Sequence, residues 1–298
     1  MTWTDIARER YSRDSKRYAS NVTVAEWSLI EGFMPLRRRS GRPRKADLRE
    51  VVNALLYIAS TGCQWRMLPS DFPPRSTVQR YFYDWRDRGL MPRISHHLVM
   101  EAREASPTAG VIDSQSVKTT ESGGPCGFDA GKKATNCVCA EVKGRKRHIL
   151  TDTLGLLVGL VLHTADIQDR DGAPLVLKSI RKRWPWLRHV FADGGYAGPK
   201  LVDALHDIGK WTVEIIKRSD TAKGFELLPR RWVVERTFAW LGRCRRLAKD
   251  WEKTIASAEA WTWIAHIRFL SRCDLVAEKL VLGFVVGIEP QMRLQVIQ

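Results

Sequence analysis

The sequence predicts an α/β protein in which a mixed sheet follows a helical N-terminal region, and three observations carry that prediction. Apolar residues in the first hundred positions recur at helical spacing between cap signals. Past "SPTAG" (residues 106–110) the apolar runs become short and strand-like, opening with hairpin signals. Farther on, such runs alternate with amphipathic segments, the order that βαβ units require.

In the helical region, "ADLREVVNALLYIASTG" carries Asp47 as N-cap, Glu50 three residues on, and Val51, Val52, Leu55, Leu56 and Ala59 on one face; Gly62 ends it. "RSTVQRYFYDWRDRGL" repeats the design. Ser76 or Thr77 caps it, Val78, Tyr81, Phe82 and Trp85 face inward, and Gly89 stops it. Joined through "CQWRMLPSDFPP", the two predict a helix-turn-helix-like module, with a plain helical bundle as the alternative. Ahead of them, "RRRSGRPRK" gathers Arg37, Arg38, Arg39, Arg42, Arg44 and Lys45, a basic arm suited to phosphate contact and to A·T-rich minor grooves.

In the sheet region, "GVIDSQSVKT" reads as a strand ending near Asp113, and "RKRHILTDT" and "GLLVGLVLHT" as two strands about a turn at Leu154–Gly155. "GAPLVLKSIRKRW" is an amphipathic helix, and "RHVFADGG" a short buried strand ending at Asp193. A helix from Pro199, a strand "WTVEII" and a basic helix around Glu235 complete the order.

The net charge of +16 and pI near 9.9 favour a polyanionic partner. No apolar run is long enough to span a bilayer and "MTWTDIARER" lacks a signal-peptide core, so the reading is cytoplasmic, with no membrane partner. The six cysteines include no C-x-x-C pair and read as reduced thiols; zinc on Cys126, Cys137, Cys139 and a histidine is the alternative.

Asp113 and Asp193, each after an apolar strand, sit where α/β sheets gather ligands. Glu235 lies on a helix able to pack back across that edge. Three carboxylates brought together repel unless a cation neutralises them, and oxygen-only ligands suit Mg²⁺ or Mn²⁺. The helix around Glu235 aligns Arg231, Glu235, Ala239, Gly242 and Arg246 on one stripe, while Val234, Phe238 and Leu241 point to a core. Such a stripe serves metal and phosphate backbone together. The rival acids Asp166, Asp169 and Asp171 read as a turn plus an N-cap for a helix starting near Gly172. "GPCGFDAGKK" fails the phosphate-loop spacing. His148, His163, His189 and His206 read as packing residues. Trp232, Trp240, Trp261 and Trp263 read mainly as core, with one near Glu235 able to stack on a base.

"VIDSQSVKTT", "KGRKRHILTDTLGLLVGLVLHTADIQDRDGAPLVL", "HVFADGGYAGPKL" and "RRWVVERTFAWLGRCRRLAKDWE" resemble transposases of bacterial insertion sequences, family five, in the wider insertion-sequence four-like superfamily. "TGCQWRMLPSDFPP" is similar to their helical DNA-binding region, and the resemblance covers most of the chain. It implies a ribonuclease-H-like catalytic core with a DDE triad on Asp113, Asp193 and Glu235. The corresponding division is a helical DNA-binding domain at 1–106, a catalytic domain at 107–272 and an atypical tail at 273–298. The superfamily's Tyr-x2-Arg-x3-Glu-x6-Lys signature is met at Arg231 and Glu235, but Leu228 replaces the tyrosine and Gly242 the lysine; Arg243, Arg245 or Arg246 would supply the cation. "ATNCVCAE" (134–141) reads as an insertion, and the chain from Cys273 departs from the family.

The implied activity is DNA transposition, in which a homo-oligomer on double-stranded DNA binds terminal inverted repeats, cuts at the element's ends and joins 3′-hydroxyls to target DNA. The chemistry would rest on two metal ions roughly 3.5–4 Å apart. The alternative is a decayed, inactive transposase that only binds DNA, and a third reading is a metal nuclease that cuts without joining.

Overall fold

A computed structural model describes residues 13, 16–36, 44–120, 124–129, 142–216 and 228–273. Arg37, Arg38, Arg39 and Arg42, the insertion at 134–141 with Cys137 and Cys139, and the tail from residue 274 lie outside the described residues.

Helix α1 (Val24–Glu31) starts in a capping box in which Thr23 and Glu26 satisfy each other's backbone N–H. Helix α2 (Leu48–Thr61) has the foreseen ends: Asp47 accepts from the Arg49 N–H at 2.9 Å, and Gly62 takes φ +71°. Helix α3 (Arg75–Asp87) starts ahead of both expected caps. The carbonyl of Pro74 accepts from the N–H groups of Thr77 (2.8 Å) and Val78 (3.1 Å), so neither Ser76 nor Thr77 is needed as a cap. Val78, Phe82 and Trp85 are buried as expected, whereas Tyr81 is half-buried.

Helix α3 ends ahead of Gly89, as expected, but a further helix starts at once. That glycine takes φ +62° and lets α4 (Leu90–Glu101) follow, burying Leu90, Met91, Ile94, Leu98 and Val99. Pro92 falls in the first turn, where the missing N–H has no intrahelical acceptor to lose.

Among the described residues six strands form one sheet: β1 (Ala109–Lys118), β2 (Gly127–Asp129), β3 (Val142–Asp152), β4 (Leu157–Thr164), β5 (His189–Ala192) and β6 (Thr212–Ile215). The order is β4-β3-β1-β5-β6, with β2 on the same edge of β3 that β4 occupies farther along. Pairs among β1 to β4 are antiparallel, and β1–β5 and β5–β6 are parallel. This is the mixed sheet of a ribonuclease-H-like core. Helices α5 (Asp169–Ile180), α6 (Pro199–Gly209) and α7 (Pro229–Gly242) pack around it.

Helix α8 (Ile255–Leu270) then runs back between β4 and the N-terminal helices. Trp261 is almost fully buried, its ring 4.7 Å from Phe82 and 5.7 Å from Trp65 between centroids. Arg86 donates to Ser257 at 2.8 Å, and Ser95 bonds His266 Nδ1 at 2.8 Å. The hydrophobic core is continuous across both halves of the chain, and the N-terminal helices form a bundle that α8 closes.

The basic run Arg145–Lys146–Arg147 on β3 faces inward and is almost fully buried. Arg145 pairs with Asp250 at 3.0 Å, Lys146 with Asp169 at 2.9 Å, and Arg147 donates to the Leu247 carbonyl at 2.9 Å. Part of the chain's positive charge is thus structural rather than presented to a polyanion.

Candidate active site

Strand β1 does not end at Asp113. Strand β3 pairs with it from Gly110 to Lys118, whereas β5 pairs with it only from Ala109 to Val111. Asp113 therefore lies mid-strand, at the notch left where the parallel neighbour stops. Continuing the Val111–Phe191 register by two residues on each strand sets Asp113 beside Asp193. Asp193 leaves β5 as the cap of a short 3₁₀ turn, Gly194–Tyr196, and its Oδ1 accepts from the Gly195 N–H at 2.9 Å.

Helix α7 packs over β1, β3 and β5 and carries Arg231 and Glu235 one turn apart. The Arg231 guanidinium lies 3.6 Å from Asp193 Oδ2 and 3.9 Å from Glu235 Oε1. Burial pushes the Asp113 carboxyl up to about 6, with Asp193 and Asp169 adding to the rise. The Ser114 N–H, donating to Asp113 Oδ1 at 2.7 Å, and the Arg231 charge oppose it. Asp193 and Glu235 thus share one guanidinium, whose charge also acts on Asp113. Among the described residues, no three metal-ligating side chains close on a single point.

Asp169, set aside in the sequence as a helix-start acid, belongs to this neighbourhood. Its Oδ1 accepts from Ser114 Oγ at 2.7 Å and from Lys146 Nζ at 2.9 Å. Burial raises its pKa, but those two donors outweigh burial and hold it below the ordinary value. The helix begins at Asp169, three residues ahead of the expected start near Gly172; the link to Ser114 joins residues far apart in the chain.

The stripe on α7 is open at Glu235, Ala239 and Gly242, and Arg243 and Arg245 are exposed beyond it. Arg246 does not extend the stripe. The helix ends at Gly242, and the chain turns Arg246 inward onto Glu252 (2.9 Å), the Cys63 carbonyl (3.1 Å) and the Trp261 ring. It is unavailable to a phosphate backbone. Val234 and Leu241 are buried as expected, and Phe238 half-buried. Arg44 donates to the Pro35 carbonyl at 2.7 Å, while Lys45 is exposed. Of the tryptophans, Trp261 and Trp263 are core, Trp240 stacks on Phe269 and Trp232 stands exposed on α7. His148 and His163 are buried, His189 on β5 is bonded to Thr212 of the outer strand β6, and His206, read as a packing residue, is exposed. No helix among the described residues is long and apolar enough to cross a membrane.

Residues 104–270 match the family described as "Transposase DDE domain", and residues 22–95 match "Putative transposase of IS4/5 family". The chain is similar to the "Uncharacterized protein y4sN" of Sinorhizobium fredii, 32% identical over 93 residues, 31% of this chain and 72% of that one. It is also similar to the "Putative transposase for insertion sequence element IS402" of Burkholderia cepacia, 35% identical over 119 residues. That alignment covers 37% of this chain and 54% of the relative, so the chain spans about half of that protein's length.

Proposed function

Because this chain belongs to the transposase DDE-domain family, we propose that it binds the terminal inverted repeats of a mobile element, cuts the DNA at those ends and joins the freed 3′-hydroxyls to target DNA. The observation that carries the reading is Arg231 of α7 between Asp193 and Glu235, with Asp113 beside Asp193 in the β1–β5 register. Three carboxylates from three elements, one of them resisting ionisation, make a site that calls for positive charge.

The donor chemistry suits a hard divalent cation, since all three side chains offer carboxylate oxygens. In this conformation the three do not close on one point, so the cation would draw them together. A bound Mg²⁺ or Mn²⁺ supplies Lewis-acid stabilisation of the oxygens that enter and leave phosphorus. In this reading Asp113, Asp193 and Glu235 hold the cation, and Arg231 neutralises the acids before it arrives. The open stripe on α7, with Arg243 and Arg245 beyond it, lies against the DNA backbone. Lys45 and Arg44 extend the basic contact from the N-terminal side, and assembly as a homo-oligomer on DNA in the cytoplasm completes the proposal.

The test is a strand-transfer assay on labelled duplex carrying the terminal repeats, with Mg²⁺. The parent should cut and join. Asp193→Asn should lose cleavage yet bind the ends as well or better, since a negative charge beside phosphate is gone. Cleavage by that variant at the parental rate would remove Asp193 from the chemistry. A parent that binds ends but never cuts would establish the inactive DNA-binding alternative.

A further inference from the structure

Beneath the carboxylates, on the other face of the sheet, runs a buried polar chain. Side chains alternate along β1, so Ser114 points away from Asp113. Its cross-strand partner His148 shares that face. His148 is fully buried, with Nε2 2.6 Å from the Tyr196 hydroxyl and Nδ1 3.0 Å from His163 Nε2. His163 Nδ1 lies 2.8 Å from the Thr164 carbonyl.

One end of this chain fixes all its protons. A carbonyl only accepts, so His163 carries its proton on Nδ1 and, when neutral, accepts at Nε2. His148 must then donate from Nδ1 and accept at Nε2, and the Tyr196 hydroxyl donates to it. Burial keeps both histidines neutral, His148 lowered to about 3, and raises the Tyr196 hydroxyl well above its ordinary value. Helix α5 rests directly on the pair: a Cβ on Gly172 would fall 2.3 Å from His148 Nδ1 and 2.7 Å from His163 Nε2.

Tyr196 closes the turn that Asp193 opens. Its N–H donates to the Asp193 carbonyl at 3.1 Å, and only Gly194 and Gly195 lie between them. Both glycines are exposed and carry no side chain to seat the turn, while Tyr196 is 1% exposed. We propose that Tyr196 is a positioning residue, which through the His148–His163 chain fixes the direction of the Asp193 carboxylate. The proposal rests on the reading of Asp193 as part of the active site.

The test compares full-length Tyr196→Phe with Asp193→Asn and with Val176→Ala, a cavity made in the core where α5 packs on Gly159 of β4. Mn²⁺ binding is read from the free-ion electron paramagnetic resonance signal, and kcat and KM from cleavage of terminal-repeat duplex. Tyr196→Phe keeps the ring, so the fold should persist. Its Mn²⁺ affinity should drop about tenfold or more, in the range for groups that orient metal ligands. Its kcat should fall while KM for DNA stays put. Val176→Ala should melt lower and keep both properties. Equal losses in Val176→Ala, or parental values in Tyr196→Phe, would show that packing alone holds the turn and overturn the proposal. Unchanged Mn²⁺ binding and cleavage in Asp193→Asn would instead overturn the active-site reading itself, and this proposal with it.

Discussion

Trp261 of the last described helix stacks on Phe82 of the third, with ring centroids 4.7 Å apart and planes 24° from parallel. The two residues lie on opposite sides of the catalytic sheet in the sequence, yet they share one core. Trp261→Ala should therefore destabilise the whole chain, by about 3–5 kcal/mol if the site behaves as other buried aromatics do. Unfolding followed by fluorescence and by circular dichroism should still give one coincident transition. A fragment ending near Ser106 should lack a cooperative melt, because it leaves the α8-facing side of Phe82 and Trp65 bare. A sharp melt from that fragment would show the helical bundle to be autonomous.

Asp113 links stability to pH with a definite sign. Its folded-state value, about 6, lies above the ordinary 3.8, so the folded protein holds this proton more tightly than the unfolded chain does. Stability contributed by the protonated form is complete below the unfolded value and is lost as pH rises through about 6, a cost on the order of 3 kcal/mol. Asp113→Asn should melt higher than the parent at pH 8, with the gap shrinking toward pH 4, and it should not cut DNA. Protons should also compete with cation at Asp113, so parental cleavage should decline below pH 6. A pH-independent gap in melting temperature would contradict the assignment.

Deleting residues 134–141, the expected insertion, should leave the sheet undisturbed. Asp129 pairs with Val142, so residues 130–141 merely connect two hydrogen-bonded antiparallel neighbours, β2 and β3. Deleting 134–141 leaves 130–133, enough for a hairpin loop. Shortening a loop changes closure entropy by only about 0.6 kcal/mol per halving. The deletion variant should melt within a few degrees of the parent and cut DNA as well or better. A large fall in melting temperature, or stoichiometric zinc in the purified parent, would make the segment structural.

Local chemistry made much of this fold legible. The ends of α2 follow from Asp47 and Gly62, and the β3–β4 hairpin from apolar runs around Gly155, which takes φ +83°. Asp113, Asp193 and Glu235 each stood out as a carboxylate beside an apolar run or within a basic one. What escaped had contrary or absent local signals. Gly89 marks the end of α3 as read, but α4 right behind it went unread; a left-handed glycine and a first-turn proline allow it to begin there. Helix α8 is buried almost all round, from Ala258 to Leu270, so it shows no polar face to mark its period. Arg246 was misplaced because a helical wheel was carried past Gly242, where the helix stops. Asp169 needed Ser114 and Lys146, contacts that no window of the sequence contains.

The return of α8 to the N-terminal helices has a consequence for how the protein comes into being. Helices α2, α3 and α4 are complete by Glu101, but the tryptophan that fills their centre is Trp261. At about 5–20 residues per second, a ribosome needs on the order of ten to thirty seconds to make the stretch between them. Throughout that interval the bundle has an open apolar side, and the ribonuclease-H-like sheet is assembled while its neighbour waits. An interrupted translation product therefore carries the early helices without the tryptophan that fills their centre.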